Sequence, residues 1–139
     1  MVNKNNITLL GNQKTKYKYN KPSYKALEWF QAPGENYDIH IDCPEFTSLC
    51  PKTGQPDFAK IVIDYRPHNR CVESKSLKLY LFSFRQFGEF HEACVNRIAD
   101  DLQKVLSATW LRVEGQFMSH GGISIWPKAF RSNNDEGYL

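Results

Sequence analysis

The order of apolar periodicities along the 139 residues predicts an α+β fold: a four-stranded antiparallel sheet with two helices on one face. Three observations predict it. Two segments before residue 66 alternate apolar and polar side chains, the next two carry helical spacing, and alternation returns beyond residue 110. Strand, strand, helix, helix, strand, strand contains no βαβ unit, so a parallel sheet is not expected. At 41% hydrophobic and 14% aromatic, the chain can bury one real core, which excludes a disordered or fibrous protein.

Residues 1–27 form a leader with six lysines and no acid. It reads either as a solvated, partly flexible arm or as a basic arm for nucleic acid or a phosphate-bearing ligand. The single domain is expected over residues 28–139, with 12 basic against 15 acidic residues. Tyr37 to Cys43 alternates as a half-buried strand. Ala59 to Tyr65, ended by Arg66-Pro67, reads as the second. Between them Pro44 to Asp57 holds three prolines and a glycine, so it cannot be regular throughout.

From Ser74 to Arg85, Leu77, Tyr80, Leu81 and Phe84 share one helical stripe, and Lys75, Lys78, Phe82 and Arg85 share another, basic one. A longer helix runs from about Glu89 to Leu106, with Ile98, Leu102 and Val105 inward and Asn96, Arg97, Asp100, Asp101, Gln103 and Lys104 outward. Trp110 to Met118 and Ile123 to Trp126 supply the last two strands around a turn at Ser119-His120-Gly121-Gly122. The first helix is apolar nearly all round and the sheet leaves a face and edges uncovered, so burial against other subunits is expected.

No apolar run is long enough to span a membrane and the N-terminus lacks the apolar stretch of an export signal, so a cytoplasmic protein is expected. In that compartment Cys43, Cys50, Cys71 and Cys94 stay thiols. No cysteine pair has the spacing of a zinc knuckle, and His40 and Cys43 point to opposite faces of a strand, so no metal is expected.

Cys50 lies in the irregular segment, where a side chain can face a ligand instead of a core. Asp57 ends the same segment, and closure of the loop between neighbouring strands brings a carboxyl group near the sulfur as acid or base. Glu73 precedes the basic helix; His91 and Glu92 open the long one. A carboxylate such as Glu92 can cap a helix, or accept the two adjacent N–H donors of a guanine-like ring. The chain has no Walker loop or G-x-G-x-x-G, so nucleotide phosphates would fall to the Lys75/Lys78/Arg85 stripe.

The octapeptide Glu73-Ser74-Lys75-Ser76-Leu77-Lys78-Leu79-Tyr80 resembles the signature of the 7-cyano-7-deazaguanine reductases, nitrile reductases of queuosine biosynthesis. Phe46-Thr47-Ser48-Leu49-Cys50-Pro51-Lys52-Thr53-Gly54-Gln55-Pro56-Asp57, Phe90-His91-Glu92 and Gly121-Gly122-Ile123 agree in order and kind. The likeness covers most of Cys43 to Trp126 and is to the short, single-module form. It implies a tunnelling fold (ββααββ), a homo-oligomer of two stacked rings with active sites at subunit interfaces, a small 7-deazapurine substrate, and no nucleic-acid or membrane partner.

The resemblance also implies NADPH-dependent conversion of 7-cyano-7-deazaguanine to 7-aminomethyl-7-deazaguanine through a thioimide on Cys50, with Asp57 as proton donor. It assigns Val72, Glu73, Ser74, His91 and Glu92 to the heterocycle, and Ser74, Lys75, Lys78, His120 and Gly121 to the cofactor. The family pattern has Arg-Gly-Gly where this chain has His120-Gly121-Gly122; a mostly neutral histidine makes a phosphate contact weaker or pH-dependent. Two other readings stand beside it: an amidino-transferring relative acting on the nitrile base in tRNA, and a non-catalytic nucleic-acid-binding module. Finally, Cys94 follows His91 by three residues on one helix face, so it either packs the helix or pairs with Cys50 in a reversible, protective disulfide.

Overall fold

A computed structural model describes residues 21–134; the greater part of the basic leader lies outside the described residues. The elements are β1 (Trp29–Gln31), β2 (Ile39–Leu49), β3 (Pro56–Arg66), β4 (Arg70–Val72), α1 (Ser74–Phe82), α2 (His91–Leu106), β5 (Trp110–Phe117) and β6 (Lys128–Ser132), with 3-10 turns at Tyr24–Ala26 and Ser83–Gln86. The main sheet runs β2-β3-β5-β6, antiparallel throughout, and β1 pairs β4 in a separate two-stranded ribbon. The ββααββ order of the tunnelling fold is thus present.

Side-chain alternation sends Ile61, Ile63 and Tyr65 of β3 and Leu111, Val113 and Phe117 of β5 inward, where they meet Val95, Ile98, Leu102 and Leu106 of α2. The opposite face carries His40, Asp64 and Arg112, with Asp64 bridging the other two at 2.6 and 2.8 Å. Helix α2 presses closely on β5: a Cβ on Gly115 would lie 2.7 Å from Val95 Cγ2 and 2.7 Å from the Phe117 ring. The Tyr80 hydroxyl donates to Asp101 at 2.6 Å and ties α1 to α2. Leu27, at the end of the leader, belongs to this core.

Several elements differ from their sequence-based limits. Pro44 and Glu45 occupy a bulge in edge strand β2, between Cys43↔Ile61 and Phe46↔Ala59. A bulge on an edge tolerates a proline that lacks an N–H, so the strand continues to Leu49 and only Cys50 to Gln55 is irregular. Residues 123–126 are not a strand. Ile123 closes a tight turn with His120, the next residues stand exposed, and pairing with β5 resumes only after Pro127, in β6. Their alternation describes a surface with no partner strand among the described residues. Arg97 is not an outward charge either: its guanidinium makes a doubly bonded pair with Glu89 and lies over the Phe87 ring.

Candidate active site

Cys50 opens the connection between β2 and β3. Its N–H donates to the Gln55 carbonyl at 2.8 Å and its carbonyl accepts from Gly54 N–H at 2.9 Å, with Gly54 in the left-handed region at φ 72°. That tight loop turns the Thr53 hydroxyl and the N–H groups of Thr53 and Lys52 toward the sulfur, and these donors hold the half-buried Cys50 thiol below its usual value. The other thiols with a resolved shift go the opposite way: burial pushes Cys43 up to about 11, and Cys94, wholly inside the core, further still. Cys50 is therefore the better nucleophile of these three. Cys50 and Cys94 are both free thiols.

Asp57 stands opposite Ser48 in the β2–β3 ladder, on the inner face of the sheet, and its side chain is 5% exposed. Its charge is close enough to Cys50 to oppose thiolate formation, though the Thr53 and Lys52 donors prevail. Two histidines complete the cluster. His91, first residue of α2, places Nδ1 3.9 Å from Asp57 Oδ2, and His120, in the turn after β5, places Nε2 3.1 Å from Asp57 Oδ1. Left-handed Gly121 and Gly122 let that turn close, with reciprocal backbone hydrogen bonds between His120 and Ile123 at 3.0 and 3.1 Å.

The Cys50 loop is laced to the start of α2. Leu49 N–H donates to the Phe87 carbonyl, Glu89 N–H donates to the Leu49 carbonyl, and a Cβ on Gly88 would sit 3.4 Å from Pro51 Cα. The Glu89–Arg97 pair then anchors this segment to α2. The thiol, Asp57 and His91 are thereby fixed relative to one another by backbone as well as side chains.

The residues expected around a heterocycle and cofactor divide between two places. Val72, Ser74 and Lys78 line a groove of about 470 Å³ between α1 and the bulged part of β2, together with Thr47, Phe82 and Arg85. Lys75 is not in that lining. Glu73 is 3% exposed and caps α1, its two oxygens accepting from Ser76 N–H at 2.7 Å and Lys75 N–H at 2.9 Å. It fixes the backbone of Val72 to Ser74. Glu92 and Gly121 sit beside the two histidines in sequence, both exposed, and the Glu92 carboxylate has no hydrogen-bond or ion-pair partner among the described residues.

Thr53 and Phe117 act in the site without having been singled out in the sequence. Thr53 is a turn residue whose hydroxyl shows its use only when the loop is folded. Phe117 reads as an ordinary inward residue of β5, yet it carries the His91 ring.

The profile of the QueF-like protein family matches residues 56–136. A protein of Bacillus thuringiensis subsp. konkukian described as NADPH-dependent 7-cyano-7-deazaguanine reductase is 58% identical over 123 residues, 87% of this chain and 74% of its own. One of Bacillus mycoides with the same description is 57% identical over the same shares. Among solved structures, the apo form of the archaeosine synthase QueF-Like superposes with a TM-score of 0.66 at 15% identity, over 72% of this chain and 97% of that one, a likeness of fold. By the match over residues 56–136 and the 58% identity along most of its length, the chain belongs to the QueF-like protein family.

Proposed function

We propose that the protein reduces the nitrile of 7-cyano-7-deazaguanine to the primary amine of 7-aminomethyl-7-deazaguanine, consuming two NADPH and two protons. The observation that carries this reading is a loop thiol whose thiolate is favoured by three donors and which sits beside a buried carboxyl group, in a chain of this family. The Cys50 thiolate adds to the nitrile carbon, a C–S bond forms, and one π bond of the nitrile opens onto nitrogen. Asp57, having taken the proton that the Cys50 thiol gave up, delivers it to that nitrogen, giving a thioimide, which accepts hydride better than the nitrile. NADPH, when bound, supplies a hydride to each of two C=N bonds. After the first, the C–S bond breaks and Cys50 leaves as thiolate, releasing the imine that is reduced second.

Glu92, exposed beside His91, accepts the N–H donors of the pyrimidinone edge. The groove between α1 and β2 suits an anionic dinucleotide: Lys78 and Arg85 line it, and the buried Thr47 hydroxyl in its wall has no hydrogen-bond partner among the described residues. The groove lining includes none of Cys50, Asp57, His91 and His120. A site drawing on both regions is supported if neighbouring subunits each contribute one, and exposed Met118, Ile123, Ile125 and Trp126 offer apolar surface for such assembly. Among the described residues no helix is long and apolar enough to cross a membrane.

The test is NADPH oxidation with and without the nitrile. Two equivalents oxidised per nitrile consumed support the reading; nitrile consumption without oxidation contradicts it.

A further inference from the structure

Asp57, His91 and His120 each offer a ligand atom, and these atoms all lie within 4.8 Å of one another. They come from β3, the first turn of α2 and the turn after β5. Sequence spacing alone does not join them. We propose that this triad is a binding site for a divalent transition-metal ion of the zinc class, and that an ion held there inhibits the enzyme.

The ligand set and its geometry support the site. In a tetrahedral zinc centre, ligand atoms about 2.0–2.2 Å from the ion stand about 3.3–3.6 Å from each other. The His120 Nε2 to Asp57 Oδ1 distance is already 3.1 Å, and His91 Nδ1 to Asp57 Oδ2 is 3.9 Å. The closure that remains is between His91 and the Asp57 carboxylate, and His120, whose side chain is 60% exposed, can follow as the carboxylate turns. The His91 ring is held by its stack on Phe117, so the Asp57 carboxylate turns toward it to bring the 3.9 Å separation to ligand distance. Two imidazoles and one carboxylate select zinc, cobalt, nickel or copper over magnesium or calcium, which want oxygen ligands. Three protein ligands also leave a fourth position open to water. Histidine at 120 completes the set, since a guanidinium has no lone pair to give.

The inhibitory consequence rests on the function proposed above. A metal ion on Asp57 occupies the carboxyl group that must carry the proton to the nitrile nitrogen. Binding itself rests only on the triad.

The full, tag-free chain, stripped of metal, is titrated with Co²⁺ followed by its visible ligand-field absorption, and with Zn²⁺ followed by calorimetry. One ion per chain is expected, with Zn²⁺ displacing Co²⁺. His91→Ala and His120→Arg should each weaken binding by about tenfold or more. Should His91→Ala fail to fold, His120→Arg, at an exposed position, still decides. Absence of a Co²⁺ band and of binding heat overturns the site. So does binding that persists undiminished in His120→Arg and vanishes in Cys50→Ala, because the ion is then on thiolate. In a second arm, NADPH oxidation in the presence of nitrile is measured under chelator and then with Zn²⁺ added. Inhibition that His120→Arg relieves supports the proposal, and Zn²⁺ bound at the triad without inhibition overturns its regulatory half. Co²⁺ binding as expected, with no nitrile-dependent oxidation even under chelator, overturns the functional reading and leaves the metal site standing.

Discussion

The His91 imidazole lies flat on the Phe117 ring, with centroids 3.8 Å apart and planes 4° from parallel. Since Phe117 is the last residue of β5 and His91 the first of α2, this stack joins the sheet to the helix where Asp57 is also found. Phe117→Leu keeps an apolar side chain but removes the flat support. It is expected to cost about 1 kcal/mol of stability beyond the lost area and to weaken nitrile binding as the imidazole tilts away. Urea denaturation and calorimetry with the nitrile read the two effects separately.

The depressed Cys50 thiol has Thr53 as its first cause. A thiol held low by donors is deprotonated at a lower pH than a free one, so Cys50 alkylation should set in below the pH at which a free cysteine reacts. Thr53→Val removes the hydroxyl donor and keeps the shape. Its alkylation profile is expected to move to higher pH, and alkylation near neutral pH to slow. An unchanged profile in the variant contradicts the assignment.

Asp57→Asn retains size and hydrogen bonding but cannot donate an acidic proton. Ligand binding should persist while turnover falls by roughly 10²- to 10⁴-fold, the usual worth of a positioned general acid. Steady-state and binding measurements on the same preparation show whether the loss is in the chemical step.

Two glutamates in the same sequence context separate by environment. Glu73 is buried with both oxygens engaged on the first turn of α1, so Glu73→Ala is expected to cost about 1–2 kcal/mol of stability. Glu92 is exposed. Glu92→Gln should leave the melting temperature nearly unchanged and lose on the order of 2 kcal/mol of ligand affinity, because its amide turns a donor toward the ring's own donors.

Much of this was legible in the sequence because the relevant signals are periodic or local. The stripe of Leu77, Tyr80, Leu81 and Phe84 and that of Ile98 and Leu102 mark helix faces that the structure buries. Cys50 and Asp57 lie in a proline- and glycine-containing segment that could not be regular throughout. The ribbon of β1 and β4 was not legible, since three residues are too few to show a period. Strand β6 was displaced by the Ile123 to Trp126 alternation, a pattern that reports apolar spacing without saying whether a partner strand exists. Arg97 looked solvent-facing because sequence shows a helix angle and not the Glu89 carboxylate waiting before the helix. The meeting of Asp57, His91 and His120 needed the tertiary fold, because three elements must close on one point.

Incubation of the enzyme with 7-cyano-7-deazaguanine in the absence of NADPH, followed by mass spectrometry of the native-state protein and its peptides, tests the central claim most directly. Addition to a nitrile expels no leaving group, so the account predicts a gain equal to the whole mass of the ligand, located on the peptide holding Cys50 and absent in Cys50→Ala. An adduct on Cys43, Cys71 or Cys94, or one that survives in Cys50→Ala, would contradict it.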